Sequence, residues 1–369
     1  MSDVRTVASI AEIGRERWDA LFPGELERFD YLLATEQAGL AGFRWLYLIA
    51  EDEGRLLAAA PAFLTEYALD ITLTGAGKRA AAAVRKLAPG LLTLRMACFG
   101  SPCTESAQVG FAPDMTADQR AFLLRAVVGA FERAARDERC ALLAVKDVPE
   151  AARPLWEQAL KPAGYHGVAG LPVAHLDIAF DSVETYLAGL SSGTRKDMRR
   201  KLRALGEIRI ETRRDLDGVL DRVVELYRAT LERAEMTFEE LTPAFFTGVL
   251  ERMGEGAFCT LYYAGDELLA ANLLLQDDEV LLDKFFCMTA QGRAYNLYFL
   301  SWFTNVRWCV EHGLARYQSG QAAYANKLRL GSRLTRTTMY VRHRNPVLNG
   351  VLHWVAPLFA ADPTLEKAA

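Results

Sequence analysis

Apolar residues along this chain follow two rhythms. Strand-length runs at Trp45–Ala50, Leu56–Thr65, Thr93–Phe99 and Ala141–Lys146 are matched later by the hairpin Phe258–Leu275, the run Val280–Met288 and the short Ala315–Gln318. Between them, spacings of three and four predict helices over Ile10–Leu21, Glu25–Ala38, Ala76–Leu87, Thr116–Arg139, Ala151–Leu160, Leu216–Arg233 and Pro243–Arg252. Pro23-Gly24 and Pro89-Gly90 punctuate the first half. Gly170–Phe180 reads as a strand that joins the two halves, Ile208–Thr212 and Thr335–Arg342 as further strands. The apolar run Val351–Phe359, interrupted by Pro357, is expected to pack on the domain.

The most informative stretch is Leu281–Gly331. A strand rich in Leu and Phe, suited to a sheet covered on both faces, enters a short loop, Thr289–Tyr295. Asn296 is placed to cap a helix that runs to about His312, where Gly313 stops it. Ala315–Gln318 then returns as a neighbouring strand through a right-handed crossover. A strand feeding a loop that opens a helix is an anion site, because free N–H groups and the helix dipole face the ligand. The two strands are expected to splay apart and leave a slot.

An internal repeat changes the picture from one domain to two. LYLIAEDEGRLLAAAPAF at Leu46–Phe63 resembles LYYAGDELLAANLLL at Leu261–Leu275, and each is followed by strand, loop, long helix and short strand. Two copies indicate a duplicated domain, not a solenoid. With 369 residues and 51% apolar content there is material for two cores, divided as 1–180 and 181–369. A net charge of −4 gives no global pull toward DNA or a membrane. The six cysteines have no metal-ligand spacing and are expected as buried thiols. No uncharged apolar run of 18 residues exists and the first residues lack a signal-peptide pattern, so the expectation is a soluble, cytoplasmic protein.

Local charge is another matter. In SSGTRKDMRRKLRAL, Ser191–Leu205, six cations including Arg195, Arg199 and Arg203 stand against Asp197, while Met198, Leu202 and Leu205 form an apolar stripe. This helix is either a solvated face or a phosphate clamp, for which arginine is the favoured residue. There is no G-x-S-x-G elbow, P-loop or H-E-x-x-H, and the five histidines are scattered.

Three passages carry a resemblance to a known family. The basic run Arg195–Leu205, the block YNLYFLSWFTNVRWCVEHGLARYQSGQ, and the ending QAAYANKLRLG, with Lys327 four residues before Gly331, resemble tandem acyltransferases of the GNAT superfamily, FemAB-like kind. The resemblance is closest over residues 180–345 and rests on topology before them. It implies an α/β fold of two GNAT-like domains, each a mixed, mostly antiparallel sheet flanked by helices. It also implies N-acyl transfer from acyl-CoA to a small-molecule or amino-acid-like amine, by direct attack in a ternary complex, with no metal. The alternatives are aminoacyl transfer from aminoacyl-tRNA and a non-catalytic binding module. Catalysis is expected in the second half, with the first shaping the acceptor cleft.

Acyl transfer to an amine needs positioned substrates, one modest base and donors for the oxyanion. Lys327 is the expected oxyanion or phosphate donor, Tyr324 the candidate general acid, and Gln318 with Gln321 the groups that orient the acceptor. Asp283 either pairs with Lys284 or a neighbouring arginine, or serves as a base with a raised pKa; Glu239 and Glu240 are alternatives. Gln291, Gly292, Arg293, Tyr295 and Asn296 would hold the phosphates of the donor, a degenerate form of the simple acetyltransferase loop.

Overall fold

Both hairpins of the repeat are formed, each in its own sheet. The structure is a computed structural model and describes residues 3–68, 93–203, 208–233 and 238–355. The expected helix Ala76–Leu87, Leu205 and the far end of the run Val351–Phe359 lie outside these residues. The first sheet contains β1 (Asp3–Val7), β2 (Phe43–Asp52), β3 (Arg55–Ala68), β4 (Thr93–Phe99), the two-residue β5 (Gly110–Phe111), β6 (Leu142–Pro149) and β7 (His166–Ala169). The second contains β8 (Val173–Asp177), β9 (Ile208–Arg213), β10 (Ala257–Ala264), β11 (Glu267–Gln276), β12 (Val280–Met288), β13 (Arg316–Gly320) and β14 (Arg333–Thr335).

The last strand, β15 (Thr337–His343), leaves the second half and completes the first sheet, whose order is β1-β2-β3-β4-β6-β15-β7 with β5 beside β3. The second sheet runs β14-β8-β13-β12-β11-β10-β9. The sheets therefore do not follow a division at residue 180. Strand β8 precedes it and joins the second sheet, whereas β15 crosses back from the far end. Among the described residues, pairing is antiparallel except for β4 with β6 and β12 with β13, the two pairs joined by a long helix.

The helices follow their signals. Ala117–Asp137 is capped by Thr116 in a capping box with Gln119. Leu297–His312 ends at Gly313 in the left-handed region, φ 68°. The basic stretch forms Ser192–Leu202, capped by Ser191, and buries Met198 as its stripe requires. One apolar cluster runs through both halves: Tyr31 of helix Phe29–Gln37 meets Phe245 of helix Pro243–Met253 edge-on at 6.1 Å. Phe238 plugs into Phe43 and Phe63 of the first sheet, at 5.5 and 5.9 Å. All six cysteines are buried free thiols. No helix among the described residues is long and apolar enough to cross a membrane.

Candidate active site

Strands β12 and β13 pair over only three rungs, Val280–Arg316, Leu281–Tyr317 and Leu282–Gln318. β12 then continues for six residues without β13, as the expected slot requires. Each lip carries an irregularity where the strands part. On β12, Asp283 and Phe285 oppose Leu274 and Leu273, leaving Lys284 as an extra residue. On β13, Gln318 and Gly320 oppose His175 and Ala174, leaving Ser319. Such bulges re-aim neighbouring side chains and end a ladder. Here the first sends Asp283 and Lys284 to different destinations.

Lys284 enters the seam between the halves, where its ammonium meets Glu27 with both side chains almost fully enclosed. Burial alone would lower its pKa, but Glu27 and Glu105 outweigh that and raise it. Asp283 turns under helix Leu297–His312, where its carboxylate accepts from Tyr317 Oη at 2.7 Å and Asn305 Nδ2 at 3.3 Å. Burial raises its pKa. Among the described residues it makes no ion pair with Lys284 or an arginine, contrary to one of the expected outcomes.

Lys327 comes from helix Tyr324–Arg329 and is buried at the end of β13. Its Nζ donates to the carbonyls of Ser319 and Gly320, the latter at 3.1 Å. Burial lowers its pKa to about 8, against the opposing pull of Asp283 and Glu105. Gln318 reaches across the seam and donates to Glu105 Oε2 at 2.6 Å. Gln321 donates to Leu171 O at 2.9 Å and Tyr324 to Pro172 O at 2.7 Å, so the tyrosine's proton is committed to backbone. Lys327, Gln318, Gln321 and Tyr324 are thus brought together, with Asp283 beneath them.

The residue missed by sequence reasoning is Glu105. It lies in the irregular loop between β4 and β5, with its pKa raised by burial. A Cβ on Gly320 (φ +77°) would stand 2.8 Å from Glu105 Oε1, so glycine makes room for this carboxylate. Its only sequence signal was an acid in a long loop. Glu239, one of the alternative bases, also lies in the seam, its pKa raised by burial despite Lys146 and Lys284.

The expected phosphate residues lie at the far end of β12. Gln291–Arg293 form a 3-10 turn in which Gly292 is buried, its N–H on Thr289 Oγ1. Arg293 is exposed. Asn296 holds the N-cap position, but in the left-handed region (φ 54°) and without a side-chain cap bond. The expected cap is therefore positional only, the Asn296 carbonyl taking the N–H groups of Phe299 and Leu300 at 3.0 Å each. From Asp283 to Met288 the strand advances about 17 Å at about 3.3 Å per residue.

Part of the basic helix borders this end. Lys201 Nζ sits 3.6 Å over the Phe299 ring. Arg199 and Arg203 are exposed. Arg195 is not free as expected: its guanidinium donates to Ala188 O at 2.9 Å and Leu190 O at 3.4 Å, closing the preceding turn. Asp197 accepts from Arg200 and Arg329 at 2.7 Å each, and these bonds with Lys201 hold its carboxyl well below the usual range.

Comparison with known proteins settles the family. The FemAB-like family, described as peptidoglycan biosynthesis and recognition, matches residues 9–356. The chain belongs to the FemAB-like family. This FemAB-like chain also shares its fold with solved structures. The crystal structure of FemX superposes with a TM-score of 0.60 at 13% identity, over 95% of this chain and 100% of FemX. A tandem GNAT protein from the clavulanic acid biosynthesis pathway gives 0.57 at 12% identity, over 94% and 99%. In sequence, a putative 8-amino-7-oxononanoate synthase 2 of Mycobacterium tuberculosis is 23% identical over 331 residues, 85% of this chain. The FemAB-like chain spans 42% of the length of that relative.

Proposed function

We propose that this chain is an N-acyltransferase that carries an acyl group from an acyl-CoA to an amine by direct attack in a ternary complex. The observation that carries the reading is the parting of β12 and β13 after Leu282 and Gln318, with Lys327 and Glu105 at the opening. The donor lies along the exposed edge of β12. Its phosphates meet the uncapped start of helix Leu297–His312, and its carbonyl reaches the bulges.

The amine enters from the seam. Glu105 takes the proton it sheds on attack, and the burial that raises this carboxylate's pKa suits it to a base. Lys327 spends two N–H groups on Ser319 and Gly320, and its third is available to the oxyanion. Gln318 orients Glu105. Collapse of the tetrahedral intermediate expels the thiolate and leaves the amide.

A second reading, aminoacyl transfer from an aminoacyl-tRNA, is favoured by one observation: the exposed Arg199 and Arg203 stand on the helix whose Lys201 borders the phosphate end. Calorimetry and thermal shift with coenzyme A, acyl-CoA esters and charged tRNA separate the two. A true donor at about 100 times its dissociation constant stabilises the fold by about 2.7 kcal/mol. Stabilisation by tRNA alone would overturn the coenzyme A reading.

A further inference from the structure

The first half carries a cleft of about 630 Å³, a usual size for a ligand site, that takes no part in the acyl-transfer reading. It opens where β1 stops. β1 pairs with β2 from Asp3–Glu51 to Val7–Tyr47, whereas β2 already begins at Phe43. Residues 43–46 therefore have β3 on one side and, among the described residues, no strand on the other.

The pairing fixes where the backbone of this stretch points. Pro61 O accepts from Gly100 N, so odd-numbered residues of β3 turn toward β4 and even-numbered ones toward β2. Leu64 opposes Arg44 and Ala62 opposes Leu46. The N–H and C=O of Trp45 consequently face away from β3, into the edge that β1 has left.

The cleft is lined from both faces of the sheet. Phe43 and Trp45 stand with Glu36, from the last turn of helix Phe29–Gln37; Leu46 stands with Asp137, the last residue of helix Ala117–Asp137. Both helices present their carbonyl ends here, the negative end of the helix dipole. Glu138 is spent on Arg44 and Arg95. Glu36 meets neutral donors, Ile10 N at 3.0 Å and the Tyr47 hydroxyl. Asp137 is exposed and makes no ion pair among the described residues. Two carboxylates without a cation thus flank an open strand edge with an aromatic wall.

We propose that the cleft binds a short extended peptide of a partner protein, added as a strand to the open edge of β2, with basic side chains meeting Glu36 and Asp137. Neighbouring residues of a strand point to opposite faces, so two consecutive lysines or arginines reach both carboxylates. The edge is about 13 Å long, room for about four residues of the peptide. A small organic cation would answer the carboxylates and leave the main chain of Trp45 unused. The cleft shares no residue with the slot between β12 and β13, so the inference stands apart from acyl transfer.

The test uses the full chain and a fluorescein-labelled hexapeptide, Thr-Val-Lys-Lys-Val-Thr, read by anisotropy. Its controls are the same peptide with glutamate for lysine, the same peptide N-methylated on its four central residues, and lysine amide as competitor. The lysine peptide should bind, and both altered peptides should bind about 10-fold more weakly or worse. Asp137→Lys, an exposed substitution that spares the fold, should weaken the lysine peptide about 10-fold and improve the glutamate peptide. Hydrogen exchange at the Trp45 amide should slow in the complex.

Failure of the lysine peptide to bind would overturn the inference, as would equal binding of the N-methylated peptide or equal binding by Asp137→Lys. Competition by lysine amide at the peptide's own concentration would overturn it in favour of a small cation. A dimer that protects the Trp45 amide without peptide would overturn it in favour of a second copy of the chain.

Discussion

The two halves repeat one plan, yet only one of them leaves its working parts open. In the first, β4 pairs with β6 up to its last residue, Phe99. The loop beyond is then tied down, with Lys146 Nζ donating to the carbonyls of Ser101, Pro102 and Thr104 at 3.2, 3.4 and 2.5 Å. The following helix closes its own N-terminus through Thr116 and Gln119. In the second, the equivalent strands part after three rungs, and the helix starts at Asn296 without a side-chain cap. A lysine serves both: Lys146 donates to three carbonyls of a loop, Lys327 to two at the end of β13.

The sharpest way to break this contrast is to remove each lysine. Lys327→Met should lower the transfer rate by about 10²–10³-fold, the usual effect of losing one oxyanion donor. Lys146→Met should cost about 1–3 kcal/mol in chemical denaturation, because three buried carbonyls lose their donor, and should lower the rate less than Lys327→Met does, since it loosens the loop that carries Glu105. A rate loss in Lys146→Met alone would reverse the assignment of the two halves.

Next in size is Gly320→Ala. The new Cβ would push Glu105 off Gln318 at a backbone angle that favours glycine, with an expected rate loss of about 10²-fold from the displaced base. Gly331→Ala, also at positive φ but with no contact closer than 3.6 Å, is the control for backbone strain and should spare the rate of folded protein.

A pH profile follows. Lys327 acts while protonated, so the rate should fall as pH rises through about 8, where burial places its pKa. Lys327→Arg should move that limb upward. The same depression has the opposite effect on stability. Between pH 8 and the ordinary value of 10.5 the folded chain binds fewer protons than the unfolded one, so this group's contribution rises with pH. The smallest effect belongs to the capped helix: Thr116→Ala should cost about 1 kcal/mol and leave donor binding unchanged.

Much of this was legible in the residues. The two hairpins and the helix between Asn296 and Gly313 follow from periodicity and end signals, and the placing of Lys327 and Gln318 near one strand end from the family resemblance. Three things were not. The helix Tyr324–Arg329 is only six residues long, too short for a periodic signal. The bulges at Lys284 and Ser319 depend on cross-strand register, which no single strand's pattern encodes. Glu105 acquires its place only when a loop of the first half meets β13, a contact across 213 residues. Arg195 misled because a cation on a basic face looks alike whether it meets solvent or a carbonyl.

The crossing of β15 into the first sheet has a consequence for how the molecule is made. On the ribosome, β6 has no neighbour on its β15 side until residues 337–343 have left the exit tunnel. β13 likewise accepts β8, a strand synthesised long before it. Neither sheet can close while the other half is missing, so gene fragments cut near residue 180 should yield two incomplete, aggregation-prone pieces and not two working modules.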